Sequence, residues 1–286
     1  MSLMQQRLKA YGQLLRFDKP IGIGLLLWPT LWALWVAGQG NPEPSMVLIF
    51  IVGVFVMRPA GCVINDICDR NFDKHVARTQ SRPLARGDVT VVEALLLFVI
   101  LSTMGLGLVL LLNLKTLLLA GLALLLSSVY PLMKRYTHLP QIWLGAAWYI
   151  GMLMAFTAQL DYIPAQGWLL YGIAILWTVV YDTMYAMVDR PDDRKLGLKS
   201  TAVLFAQYDR LVIGVLQSLI IALFVVLGIS LHLNFVYYLS LVVAAALFLY
   251  QQFLIREREP ERCFYGFLNN NYVGIAILVG LLAGWV

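Results

Sequence analysis

Charge is scarce in this chain of 286 residues: 13% of its side chains are Asp, Glu, Lys or Arg, against 60% hydrophobic. A water-soluble fold of this length needs a more polar shell, so the composition excludes that class and leaves a polytopic helical membrane protein. Cysteine is nearly missing, with Cys62, Cys68 and Cys263 alone. All three fall at or near the side expected to be cytoplasmic, where a disulfide does not persist. Histidine is as rare, with three in all, and no close cysteine pair exists, so no zinc pattern is present. The first 19 residues lack a long apolar run and carry Arg7, Lys9, Arg16 and Lys19, so no cleavable signal peptide is evident. Nucleic acid is not among the expected partners.

What the chain has instead is long charge-free runs. They cover 20–42, 94–114, 116–133, 136–160, 162–181 and 263–286. The run 211–255 is long enough for two spans, with a turn near Ser230–Asn234. A crossing helix needs about 20 apolar residues. With the stretch from Ser45 to about Ile64 the expectation is an all-α bundle of nine transmembrane helices, one integral-membrane domain over 1–286. Before the first span, Met4, Leu8, Tyr11 and Leu15 form a stripe that fits either a short helix on the membrane surface or an ordinary amphipathic start.

Nine spans put the N-terminus and residues 65–93, 134–135, 189–210 and 255–262 on one side. That side holds all of the 21 lysines and arginines except Arg58 and Lys115. The positive-inside rule makes it cytoplasmic and places the C-terminus opposite. Of the 16 acids, only Glu43 and Asp161 face away from it. The rule does not explain the acids.

The acids are ordered. The second span runs into Asn65, Asp69 and Asp73, spaced one turn apart on one helix face, with Asp66 at its edge. The sixth runs into Asp182, Asp189 and Asp193, again on one face. Asp69-Arg70 and Asp189-Arg190 each read Asp-Arg with a further Asp four residues on. The chain therefore reads as two pseudo-repeated halves, with motifs near 65–73 and 182–193. Two carboxylates about 6 Å apart repel by roughly 3 kcal/mol at an effective dielectric of ~20. Rows of them at one surface call for a cation, and hard oxygens without His or thiolate suit magnesium. Magnesium takes few protein ligands and commonly binds substrate phosphate as well.

Basic residues follow each row: Lys74, Arg78, Arg82 and Arg86 after the first, Arg194, Lys195 and Lys199 after the second, with Lys134 and Arg135 closing the fourth span. Singly each is a topology signal. Together with a metal they suit a diphosphate, which arginine forks grip and metal ions turn into a good leaving group. A polyprenyl diphosphate carries that group and partitions into a bilayer. Arg58 lies inside a span, about two turns before Asn65 on the same face. An intramembrane arginine costs roughly 2.5–3.5 kcal/mol to insert and is usually partnered and functional. It could hold the carboxylate of an acceptor, or a buried ion pair. Pro59 beside it is expected to bend the helix and to blur its aim.

These strings resemble those of the UbiA-type membrane prenyltransferases, and within them the 4-hydroxybenzoate polyprenyltransferases of ubiquinone synthesis. The matching strings are RFDKPIGIGLLLWPTLWALW from Arg16, RPAGCVINDICDRNFD from Arg58, RTQSRPL from Arg78, YPLMKRYTHLPQ from Tyr130, YDTMYAMVDRPDDRKLGLKSTA from Tyr181 and NNNYVG from Asn269. The resemblance implies a nine-helix bundle in the cell inner membrane, with a central cavity on its cytoplasmic side. It implies catalytic carboxylates at Asp69, Asp73, Asp182, Asp189 and Asp193. Magnesium would be held by Asn65, Asp69, Asp73, Asp189 and Asp193. Substrate would be bound by Arg58, Asn65, Arg70, Arg78, Arg82, Lys134 and Arg135, with Arg58 meeting the carboxylate of 4-hydroxybenzoate. Pro59 departs from the family pattern, where a small residue is more usual. Prenyl transfer to another aromatic acceptor, and a membrane transporter, remain the alternatives; a lipid phosphotransferase lacks its glycine and Ala-Arg string here.

Overall fold

A backbone in lipid must satisfy its own hydrogen bonds, and a chain this apolar does so by turning helical. The computed structural model describes residues 3–74 and 79–285, with Leu3 and Lys134 described in backbone only. Arg78 therefore lies outside the described residues. Every regular element among them is a helix: α1 (Leu3–Leu14), α2 (Ile21–Ala37), α3 (Pro44–Asp73), α4 (Pro83–Arg86), α5 (Val91–Val109), α6 (Leu114–Val129), α7 (Met133–Tyr136), α8 (Pro140–Trp148), α9 (Ile150–Leu160), α10 (Ala165–Lys195), α11 (Thr201–Phe205), α12 (Asp209–Ser230), α13 (Phe235–Leu254) and α14 (Pro260–Gly284), with three short 3₁₀ turns between them.

The expectation was nine spans. Among the described residues eight helical segments are long and apolar enough to cross a membrane, counting α8 with α9 as one. The ninth, α2, has 17 residues, short of the ~20 a crossing needs. Its charge-free run is longer than the helix because Gly38, Gly40 (φ +87°) and Pro42 close it off. The turn expected near 230–234 is present: α12 ends at Ser230 and Asn234 caps α13, its Oδ1 accepting from Val236 N at 2.8 Å. Pro59 does not divide α3, which continues through it as one helix of 30 residues. Tyr149 does interrupt a span, separating α8 from α9.

Helix α3, with 30 residues, and α10, with 31, extend to about 45 Å, against about 30 Å of hydrocarbon. The excess length carries their acidic ends beyond the apolar layer. Helices α5 and α6 lie at the edge of the bundle, mostly unburied, and present leucines such as Leu96, Leu106, Leu118 and Leu125 outward. The centre is aromatic: Trp32 meets Trp177 at 5.3 Å and Phe224 edge-on at 5.5 Å.

Helix α14 is the post around which this core is tied. Successive helical residues point about 100° apart, and its three asparagines use that fan. Asn269 Oδ1 accepts from Gln251 Nε2 on α13 at 3.0 Å. Asn270 Oδ1 accepts from Trp177 Nε1 on α10 at 2.9 Å. Asn271 Oδ1 accepts from Trp28 Nε1 on α2 at 2.7 Å.

Helix α1 forms as the stripe predicted, but the stripe does not act as one face. Ala10 and Leu14 are buried against Val63, Leu84, Val89 and Ala94, with Tyr11 and Leu15 packed beside them, whereas Met4 and Leu8 stay exposed. The Tyr11 hydroxyl donates to Glu93 Oε1 at 2.8 Å, and Arg7 pairs with the same carboxylate at 3.2 Å. The bond to Glu93 raises the Tyr11 pKa above the ordinary tyrosine value.

Candidate active site

One face of α3 and one face of α10 look into the same cavity, about 630 Å³ in volume. Period 3.6 explains which side chains arrive there: Arg58, Asn65, Asp69 and Asp73 from α3, Asp182, Asp189 and Asp193 from α10. The two acidic helix ends, 120 positions apart in their Asp-Arg pairs, thus share one space at one end of the bundle. Arg82 and Arg135 also line it. Arg135 donates from Nη2 to the Cys68 carbonyl at 3.4 Å and lies 5.1 Å from the Phe72 ring centre. Arg70 does not join them: it is exposed and is not part of the cavity wall. Lys134 belongs to α7 beside Arg135.

Asp66, at the edge of the face in the sequence, is the most deeply buried acid of this wall, 1% exposed. Arg16 Nη2 donates to its two oxygens at 2.7 and 2.8 Å, and Arg82 Nη1 donates to Oδ1 at 2.9 Å. Arg82 Nη1 also reaches Asp73 Oδ2 at 2.8 Å. Sequence reading missed Arg16, and its only signal was the string RFDKP ahead of the first span. Asp209, wholly buried at the start of α12, was missed as well. It pairs with Arg190, next to Asp189, and accepts from Arg258 Nε at 3.0 and 3.1 Å. That pairing holds the acidic end of α10 against the loop before α14.

Arg58 points into the cavity. Its guanidinium carbon is 4.7 Å from the Trp148 ring centre, Nη1 donates to Cys62 Sγ, and Nε is buried without a hydrogen-bond partner. Gly22 makes the room: a Cβ there would come within 2.2 Å of Nη2. Behind the wall residue Tyr181 lies buried Tyr149, the two hydroxyls 3.1 Å apart, with Tyr149 donating to the Leu25 carbonyl.

The donor set fits magnesium. The oxygens are hard, and Asn65 Oδ1 is buried with no hydrogen-bond partner, the condition of an acceptor awaiting a ligand. Among the described residues no three His, Cys, Asp or Glu side chains gather closely enough to enclose an ion.

A second cavity of about 300 Å³ opens between α3, α5, α6 and α9. Its wall is mostly Leu, Ile, Val, Ala and Gly, and it meets the first at Arg58, Gly61, Ser127 and Trp148. A more polar chamber thus joins an apolar one, with an arginine at the junction.

The family described as the UbiA prenyltransferase family matches residues 26–273. The chain belongs to the UbiA family. Relatives of high similarity include the 4-hydroxybenzoate octaprenyltransferase of Coxiella burnetii (strain Dugway 5J108-111), 55% identical over 279 residues, 98% of this chain and 97% of that one. The 4-hydroxybenzoate octaprenyltransferase of Pseudomonas aeruginosa (strain LESB58) is 53% identical, covering 96% of this chain and 93% of its own. Among solved structures, the apo form of a UbiA homolog from Aeropyrum pernix K1 superposes with a TM-score of 0.80 at 25% identity, over 91% of this chain and 96% of that one. A UbiA homolog from Archaeoglobus fulgidus bound to GPP and Mg2+ shares the fold, with a TM-score of 0.71 at 18% identity, over 96% and 99% of the two chains. This UbiA protein is a multi-pass membrane protein built on the family's all-helical bundle.

Proposed function

We propose that this chain transfers a polyprenyl group from polyprenyl diphosphate to the ring carbon ortho to the hydroxyl of 4-hydroxybenzoate, a step of ubiquinone biosynthesis, and that the transfer depends on magnesium. The observation that carries the reading is the meeting of two acidic helix ends in one cavity with a deep, incompletely partnered Arg58. The relatives named for this reaction are 55% and 53% identical to the chain over the aligned residues.

In this reading Asn65, Asp69, Asp73, Asp189 and Asp193 hold magnesium, and Asp182 supports them. Bound there, magnesium supplies neutralisation of the diphosphate oxygens. Arg82, Lys134 and Arg135 grip the diphosphate, with Arg78 completing the set. The prenyl tail lies in the apolar chamber between α3, α5 and α6. Breaking the allylic C–O bond leaves its electron pair on the diphosphate and a cation on the prenyl carbon. Trp148, Tyr181 and Tyr185, which line the cavity, present ring faces to that cation and keep water away. Arg58 fixes the acceptor carboxylate through charge-assisted hydrogen bonds, which aims the ring at the cation. A ring carbon ortho to the hydroxyl attacks, the new C–C bond forms, and Asp189 or the released diphosphate takes the ring proton.

The same reading puts the protein in the cell inner membrane, its N-terminus and acidic cavity cytoplasmic and its C-terminus opposite. It treats residues 1–286 as one domain of two repeated halves. Membranes containing the protein, supplied with labelled prenyl diphosphate and 4-hydroxybenzoate, are expected to form the prenylated acid, identified by mass. Transport of either compound without product would overturn the reading.

A further inference from the structure

Asp66 follows Asn65 by one position, so it points about 100° away from the metal-facing row. It is nonetheless part of the cavity wall, with Arg16 and Arg82 beside it. A buried carboxylate is stable only when paired, and this one is paired twice, from two different loops. Arg16 is further pinned by Nη1 donating to the Gln13 carbonyl at 2.8 Å. Arg82 is shared, with Nη1 at 2.9 Å from Asp66 and 2.8 Å from Asp73. Two guanidinium groups around Asp66 leave that cluster with one positive charge in excess. Asp73 balances it only while Arg82 remains its partner.

We propose that Asp66 is a positioning residue: it holds Arg16 and Arg82 on the cavity wall as receptors for the diphosphate, with the Arg82–Asp73 pair as the resting arrangement. This rests on the reading of the cavity as a magnesium-diphosphate site. When Asp73 turns to a cation, Arg82 loses one carboxylate and keeps the other. Its planar fork then stays within reach of the incoming phosphate oxygens, because Asp66 fixes one end of it. Arg16 becomes a diphosphate ligand from outside both acidic rows.

The test uses the full-length purified protein, with inorganic pyrophosphate plus magnesium as the probe. Asp66→Asn is expected to weaken magnesium-pyrophosphate binding about tenfold or more, the loss of charge-assisted hydrogen bonds. The KM for prenyl diphosphate should rise by the same factor while the KM for the aromatic acid and kcat change by less than about threefold. Asp66→Glu, which keeps the charge, should restore part of the binding. A merely structural role would lower the melting temperature and leave the ratio of the two KM values where it was. A folded Asp66→Asn protein whose pyrophosphate affinity and KM for prenyl diphosphate stay within about twofold of wild type overturns the inference. If Asp66→Asn does not fold, Arg16→Lys decides: unchanged pyrophosphate affinity overturns it, and about fivefold weaker binding supports it. Wild-type protein that neither binds magnesium-pyrophosphate nor turns over would overturn the reading of the site itself.

Discussion

Arg58 stacks on Trp148, its guanidinium carbon 4.7 Å from the ring centre. The contact spans α3 and α8 and sits where the polar and apolar chambers join. An arginine so held is fixed from two sides, by the ring of Trp148 and by Cys62 one turn on in its own helix.

Arg58→Ala is therefore expected to raise the KM for the aromatic acid by about 10- to 100-fold, the worth of a charge-assisted hydrogen bond of ~1.5–3 kcal/mol. The KM for the prenyl donor should move far less. Steady-state kinetics with each substrate varied in turn checks this, and equal effects on both would rule out a carboxylate-binding role.

Gly22→Ala approaches the same arginine from the other side. The new methyl would lie 2.2 Å from Nη2, so the guanidinium must shift. The expected result is a folded protein with a several-fold higher KM for the aromatic acid, since a displaced binding group costs on the order of 1 kcal/mol. Restoring wild-type kinetics by the larger Gly22→Ser would be inconsistent with this account.

Asp69→Ala and Asp189→Ala should each reduce turnover by at least ~10²-fold while leaving helix content and melting temperature near wild type, because each removes charge stabilisation from the leaving group. Circular dichroism beside product counts separates the two effects. Full activity in either variant would remove the case for the acidic rows.

Chelation of divalent cations should abolish product formation, and added magnesium should restore it. Calcium, larger and looser in its geometry, is expected to restore little. Activity that persists in chelator would count against the metal.

Asn270→Ala leaves the buried indole nitrogen of Trp177 without its acceptor. Stability should fall by about 1 kcal/mol, the range found for hydrogen bonds between membrane helices, read as a lower melting temperature in detergent. Asn271→Ala, which frees Trp28, should add to it with small coupling, since the two asparagines serve different helices.

Much of this was legible along the chain. The charge-free runs located the helices, because apolar length is a local property. The spacing of Asn65, Asp69 and Asp73, and of Asp182, Asp189 and Asp193, put each set on one face, because helical period is local too. Arg70 shows the limit of the same logic: adjacent to Asp69 and of suitable charge, it belongs to the exposed face. Pro59 shows another, since α3 continues as one helix through a residue that often ends one. At the break between α8 and α9 the buried Tyr149 hydroxyl reaches Leu25 and Tyr181, partners that no neighbouring residue announces.

The sequence by itself determined a membrane bundle with two acidic helix ends, because composition and period need no knowledge of the partner helix. Only the tertiary structure decided that those ends share one cavity, that Gly22 and Trp148 shape the seat of Arg58, and that Asp66 joins Arg16 to Arg82. Such pairings join Arg16 to Asp66, 50 positions on, and Arg58 to Trp148, far along the chain. They follow from how the helices pack, and no run of neighbouring residues encodes them.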